Sequence, residues 1–155
     1  MEEIEKDLYK AFFAEIKNKV YRAQYEAMKQ VNKTLVSLYW EIGKSIIEKQ
    51  KEHGWGKSVV EQLSEDLQKE FPGTDGFSSR NVWRMRMFCN TYEKLPPMVA
   101  EIGWSHNIII IEKCKDDLER QFYIAMTKKY GWTKNVLIHH IEGKSYERFL
   151  LGQTN

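Results

Sequence analysis

Three arginines, Arg80, Arg84 and Arg86, stand close together in a stretch, residues 79 to 92, that holds no acidic residue. A guanidinium can fork onto a phosphate or onto the edge of a guanine, so arginines on one helix face are suited to nucleic acid. At about 100° per residue, Val82, Met85, Cys89 and Tyr92 share one face and Arg80, Arg84, Met87 and Thr91 lie opposite, with Trp83 and Asn90 at one border. Base edges are reached from near the start of a recognition helix. The candidate nucleic-acid-binding set is therefore Arg80 and Arg84, with Asn81, Trp83 and Asn90 beside them. Arg86 falls at the edge of the buried face and reads as structural, and Asn81 is equally suited to holding backbone groups. The stretch just before it opposes DNA binding: Lys57 and Lys69 are outweighed by Glu61, Glu65, Asp66 and Glu70, an unfavourable balance beside phosphates.

Other reactive residues form no catalytic or metal set. His139 and His140 are adjacent, so on a helix they point about 100° apart, and no Cys or acidic pair completes a ligand spacing around them. His106, in the run WSHN, has the type of a general base but no nucleophile pattern beside it, and an aromatic-His-Asn cluster suits a helix cap or packing. Glu15 and Lys17 have the Glu-x-Lys spacing of some nucleases but sit in a helical stripe, which makes them a solvated face. Phosphate-cradling glycine loops, GxSxG and kinase motifs are missing from the sequence. Cys89 and Cys114 each lie in an apolar helical pattern, which suits reduced, buried thiols. The expectation is a chain that is not itself an enzyme and needs no cofactor and no metal.

These residues must be positioned by helices. Three prolines and nine glycines punctuate 155 residues, and apolar residues between them recur every three to four positions. The longest stripe runs Ile16, Val20, Ala23, Ala27, Val31, Leu35, Leu38, Ile42 and Ile46, thirty residues in eight steps, or 3.75 per step. That is near a straight α-helix and away from a 3.5 heptad. Such a helix of about 35 residues spans roughly 50 Å, wider than a compact domain of this size, so one end projects or meets another chain. Gly43 could break it. HGWG at 53 to 56 ends it, and Ser58 with Glu61 has capping-box spacing for a helix burying Val59, Leu63 and Leu67. After a six- or seven-residue turn containing PGTDG, Ser78 caps the helix to Tyr92, with Phe77 stapled onto Val82, so that 57 to 92 reads as a helix-turn-helix-like unit. Segment 105 to 114 favours helix, with Ser105 as cap. Asp116 with Glu119 opens another helix, which Gly131 stops, and Thr133 caps a short helix to Ile141. The tail from Gly143 adds a turn or two whose Phe149, Leu150 and Leu151 need a partner.

The fold class expected is all-α: a multi-helix bundle with one long N-terminal helix and an embedded helix-turn-helix-like unit, residues 1 to 155 forming a single domain. The apolar share of 42% and charged share of 30% exclude disorder, collagen and disulfide mini-scaffolds. A net charge of +2 gives no global field toward nucleic acid or membranes. The acidic start, MEEIEKDLYK, is unlike a signal peptide, and no long uncharged apolar run follows, so the expected location is cytoplasmic, without a membrane partner.

Five runs in order, LYWEIGKSI (38 to 46), GWGKSVVEQLSEDLQKEFP (54 to 72), GFSSRNVWRMRMF (76 to 88), IGWSHN (102 to 107) and ERQFYIAMTKKYGWTKNVLIHHIE (119 to 142), resemble the N-terminal domain of the bacterial YhcG-like family, also called domain of unknown function 1016. The resemblance covers about 35 to 142, leaving 143 to 155 as a tail. The family's FS..N...MR.F pattern falls on Phe77, Ser78, Asn81, Met85, Arg86 and Phe88, and its W.HN pattern on Trp104, His106 and Asn107, without a transferable chemistry. The resemblance implies an α-helical DNA-binding or interaction module followed by a nuclease domain of the PD-(D/E)XK superfamily. That second domain has no counterpart in these residues, so the chain is expected to be either a fragment or a stand-alone N-terminal module. Two functions follow as expectations: a DNA-targeting module contacting DNA through 79 to 92, or a protein-interaction module. In the second, the long helix and apolar tail dock onto a second copy, forming a homodimer, or onto the nuclease domain or another subunit.

Overall fold

The computed structural model describes residues 2 to 154, which form seven α-helices and one 3-10 turn, with no strand among the described residues. Helix α1 (Glu3–His53) is a single helix of 51 residues that starts well before the predicted stripe. Acidic Glu3 and Glu5 in its first turn and Lys51 and His53 in its last complement the helix dipole, and Gly54, left-handed at φ 64°, ends it.

Gly43 does not break α1. A Cβ there would run into the Met85 carbonyl, so glycine is what lets the two backbones close up. The buried face of α1 is Val36, Tyr39, Gly43 and Ile46, one side of the helix at three- and four-residue spacing. Of the predicted apolar stripe only its last residue, Ile46, reaches that face, and the rest lies next to it. Leu35 and Leu38 stay exposed, Ile42 is only half-buried, and every residue from Glu5 to Val31 is exposed. About 40 Å of helix therefore stands clear of burial.

Helix α2 (Ser58–Glu70) carries no side-chain cap. The expected Ser58–Glu61 box does not form, because Glu61 instead accepts from Ser79 Oγ at 2.8 Å across the following turn. Val60 and Ser64 are its buried residues, while Val59, Leu63 and Leu67, expected in the core, are half-buried. Helix α3 (Ser79–Thr91) follows after residues 71 to 78, a longer connection than predicted. Ser78 caps it as expected, accepting from the Asn81 amide at 3.2 Å. Helix α3 packs chiefly along α1 and less on α2, so the pair is not a self-contained helix-turn-helix.

The 3-10 turn Pro97–Glu101 leads into α4 (Trp104–Lys113), which settles the isoleucine run as helix, capped by Gly103 without the expected Ser105 bond. Helix α5 (Asp117–Tyr130) starts at Asp116 without a side-chain cap, so the second expected capping box is also unmade. It ends at left-handed Gly131 as predicted. Helix α6 (Lys134–Glu142) is capped by Thr133, which accepts from Val136 N at 3.3 Å. Helix α7 (Ser145–Thr154) places Phe149 against Phe122, ring centroids 5.2 Å apart. The main core gathers Val36, Phe88, Val99, Ile110, Tyr123 and Leu137 from α1, α3, the 3-10 turn, α4, α5 and α6.

Candidate docking surface

The five residues singled out on α3 have different surroundings. Arg80 is exposed in the first turn. Arg84 is half-buried, with Nε 3.5 Å from Glu112 Oε1 on α4. Asn81 is tied at both ends: Nδ2 donates to the Gly76 carbonyl at 2.7 Å and Oδ1 accepts from Trp104 Nε1 at 2.9 Å. It therefore fixes the turn before α3 to the start of α4. Trp83 packs beside Ile46, Val60 and Val82. Asn90 is exposed at the far end, on a polar cleft of about 450 Å³ shared with Tyr92 and Arg120. The guanidiniums thus do not form one open row, since Arg86 Nε also donates to Gln50 Oε1 at 2.7 Å.

The histidines are structural in their contacts. His106 Nε2 meets the Trp132 carbonyl at 2.8 Å, while His140 stacks on Trp132 with centroids 3.9 Å apart and Nδ1 2.8 Å from Ser145 Oγ. Buried Asn107 donates to the carbonyls of Val99 and Gly103, which pins the 3-10 turn to α4. Among the described residues no three His, Cys, Asp or Glu side chains gather where they could hold a metal. Burial pushes the Cys114 thiol up to about 12, with Glu119 adding to the rise, and pushes the Cys89 thiol up in the same direction. Both are free, buried and poorly disposed to form a thiolate.

The largest unexplained feature is apolar. Along one side of α1, at a spacing close to a straight helical row, stand Tyr9 (55% exposed), Phe13 (54%), Ile16, Val20 (48%), Val31 (68%) and Leu38. Small Ala23 and Ala27 lie in the same row. Lone exposed apolar residues are ordinary, whereas a contiguous row of this length is a candidate interaction surface. Near Leu38 the row opens into a groove of about 470 Å³ between α1 and α2, walled by Ile42, Ile46, Trp55, Val59, Leu63 and Leu67. A second hollow of the same volume sits just upstream, between Ala27 and Leu38. The aromatic start of the row, Tyr9 and Phe13, escaped the sequence reading, which began its stripe at Ile16, although each sits three to four residues before the next apolar position.

The class defined by these features is an all-helical bundle that extends a long helix with an exposed apolar row. The chain belongs to the family described as DUF1016 N-terminal domain, whose model matches residues 15–148. The match takes in the second half of the projecting segment as well as the bundle. No curated protein and no solved structure matches the chain. Among the described residues no helix is long and apolar enough to cross a membrane.

Proposed function

We propose that this chain is a protein-docking module, with α1 as the docking element. One observation carries this reading: the uncovered apolar row from Tyr9 to Leu38, on a helix whose residues 5 to 31 are all exposed. Most helical stability in proteins comes from packing an apolar face, so the projecting part of α1 is expected to be more stable when covered. The bundle supplies a rigid base, anchored where Asn32 Nδ2 donates to the carbonyls of Ala100 and Ile102 at 3.2 and 2.8 Å.

Amide hydrogen exchange over residues 8 to 31 tests this. Protection well above that of a lone helix is expected, either in the pure chain or on adding the nuclease domain that the family resemblance implies. Exchange at the rate of a lone helix in both settings overturns it.

Contact with DNA through α3 is the second reading, favoured by the open position of Arg80 in the helix's first turn. It is weaker because Arg84 already faces Glu112. A salt titration of duplex binding decides it: each lost phosphate contact lowers the log-log slope by about one, so Arg80→Ala with Arg84→Ala flattens the slope if both touch phosphate. An unchanged slope removes α3 from DNA contact.

A further inference from the structure

Resting on the docking reading, we infer that the partner covering α1 is the α1 of a second copy, running antiparallel, with the two-fold axis passing beside Ala27. Pairing about that residue sets the middle of the row against apolar partners. Ala23 meets Val31 four positions to either side of Ala27, Ile16 meets Leu38 at eleven and Phe12 meets Ile42 at fifteen, while Val20 falls opposite Thr34, Phe13 opposite Glu41 and Tyr9 opposite Ser45. In an isologous interface each residue i meets a residue j that meets i in return, so each of these apolar contacts forms twice.

Size matches as well as order. Small Ala23 and Ala27 at the centre let two helix axes approach within the usual 8–10 Å, and bulk increases outward in both directions. Pairing on this axis lays the aromatic start of each helix, Tyr9 and Phe13, over the other copy's groove between α1 and α2, which is apolar and about 470 Å³ in volume. The groove and the aromatic residues that fill it thus both belong to this chain.

Charge selects the antiparallel direction. On this axis residues 2 to 7, with four acids and one lysine, lie opposite residues 47 to 52, with two lysines and two glutamates. Antiparallel pairing sets the acidic end against a segment of no net charge, whereas parallel pairing stacks acid on acid. The area suffices: a face about 50 Å long and about 10 Å wide, from both copies, hides about 1,000 Å² before the groove is counted, the size at which specific interfaces begin.

Light scattering of the full chain at tens of micromolar, combined with thiol cross-linking, tests the inference. The expected mass is twice the 18.5 kDa of one chain. A short bis-maleimide should link Ala27→Cys to itself and should link Tyr9→Cys to Ser45→Cys in a mixture, but link neither of the latter to itself. Native Cys89 and Cys114 are buried and compete little. Val20→Glu with Val31→Glu should give a monomer whose near-ultraviolet dichroism is unchanged, because both side chains lie outside the bundle core. Self-linking of Tyr9→Cys without the mixed product overturns the antiparallel arrangement. A wild-type monomer overturns self-pairing while leaving docking intact if residues 8 to 31 become protected on adding the nuclease domain. A monomer with those residues unprotected in every setting overturns both.

Discussion

Asn81 shows how a polar residue that suits base recognition can serve the fold instead. Its amide spans the turn before α3 and the indole of Trp104, so Asn81→Ala leaves the Trp104 donor and the Gly76 carbonyl unpaired in partly buried surroundings. Leaving such groups unmade costs about 1–3 kcal/mol, to be seen as a lower urea midpoint at unchanged slope. A DNA-contact role alone would leave the midpoint where it is. Tyr92 presents the reverse case. Its ring packs edge-on against Phe88, centroids 5.3 Å apart, while its buried hydroxyl has no hydrogen-bond partner among the described residues. Tyr92→Phe should leave stability unchanged or raise it by about 1 kcal/mol. Burial pushes this phenol from 10.0 up to about 12, and the Cys114 thiol from 9.0 up to about 12. The folded chain therefore holds both protons where the unfolded chain releases them. The stability is present in full below about pH 9 and is lost as pH rises toward 12, and Tyr92→Phe should shallow that alkaline fall in a urea-midpoint series.

At the scale of elements, most helices were legible because their boundaries are chemical. Ser78 and Thr133 cap as read, and Gly54 and Gly131 take the left-handed conformation at helix ends. One misread capping box has a visible cause, since a cap can be displaced by a tertiary bond: Glu61, needed at the start of α2, is taken by Ser79. Which face of α1 is buried could not be read from spacing, because α1 carries two apolar faces side by side and a period does not say which one meets the bundle. Gly43 marks the buried one. Gly43→Ala would force a methyl into the Met85 backbone of α3, a contact with no flexible side chain to yield. A loss of about 2–3 kcal/mol by urea unfolding is expected, as for overpacking elsewhere. The same substitution at Gly56, which has open space around it, should be nearly neutral. As for the candidate site, the arginines were legible by type but not by environment, since Glu112, far along the chain, decides what Arg84 can do.

For the molecule as a whole, a projecting helix couples folding to association. In a single copy, none of residues 5 to 31 is buried, so their helix depends strongly on what covers it. If a second copy covers it, the folded dimer is favoured by mass action, and each tenfold rise in concentration adds about 1.4 kcal/mol per dimer. That increment moves the thermal midpoint up by a few degrees, about 2–4 °C for a chain of this size. A monomeric bundle instead melts at one temperature whatever its concentration. Differential scanning calorimetry of the full chain from about 5 to 500 μM should therefore show a rising midpoint, and Val20→Glu with Val31→Glu should abolish the rise. That variant should also lose part of its helical dichroism before the main transition, as the released N-terminal half of α1 frays while the bundle anchored at Asn32 holds. A concentration-independent midpoint in the wild-type chain, with the early loss of helix already present, would mean that α1 waits for a partner other than its own copy.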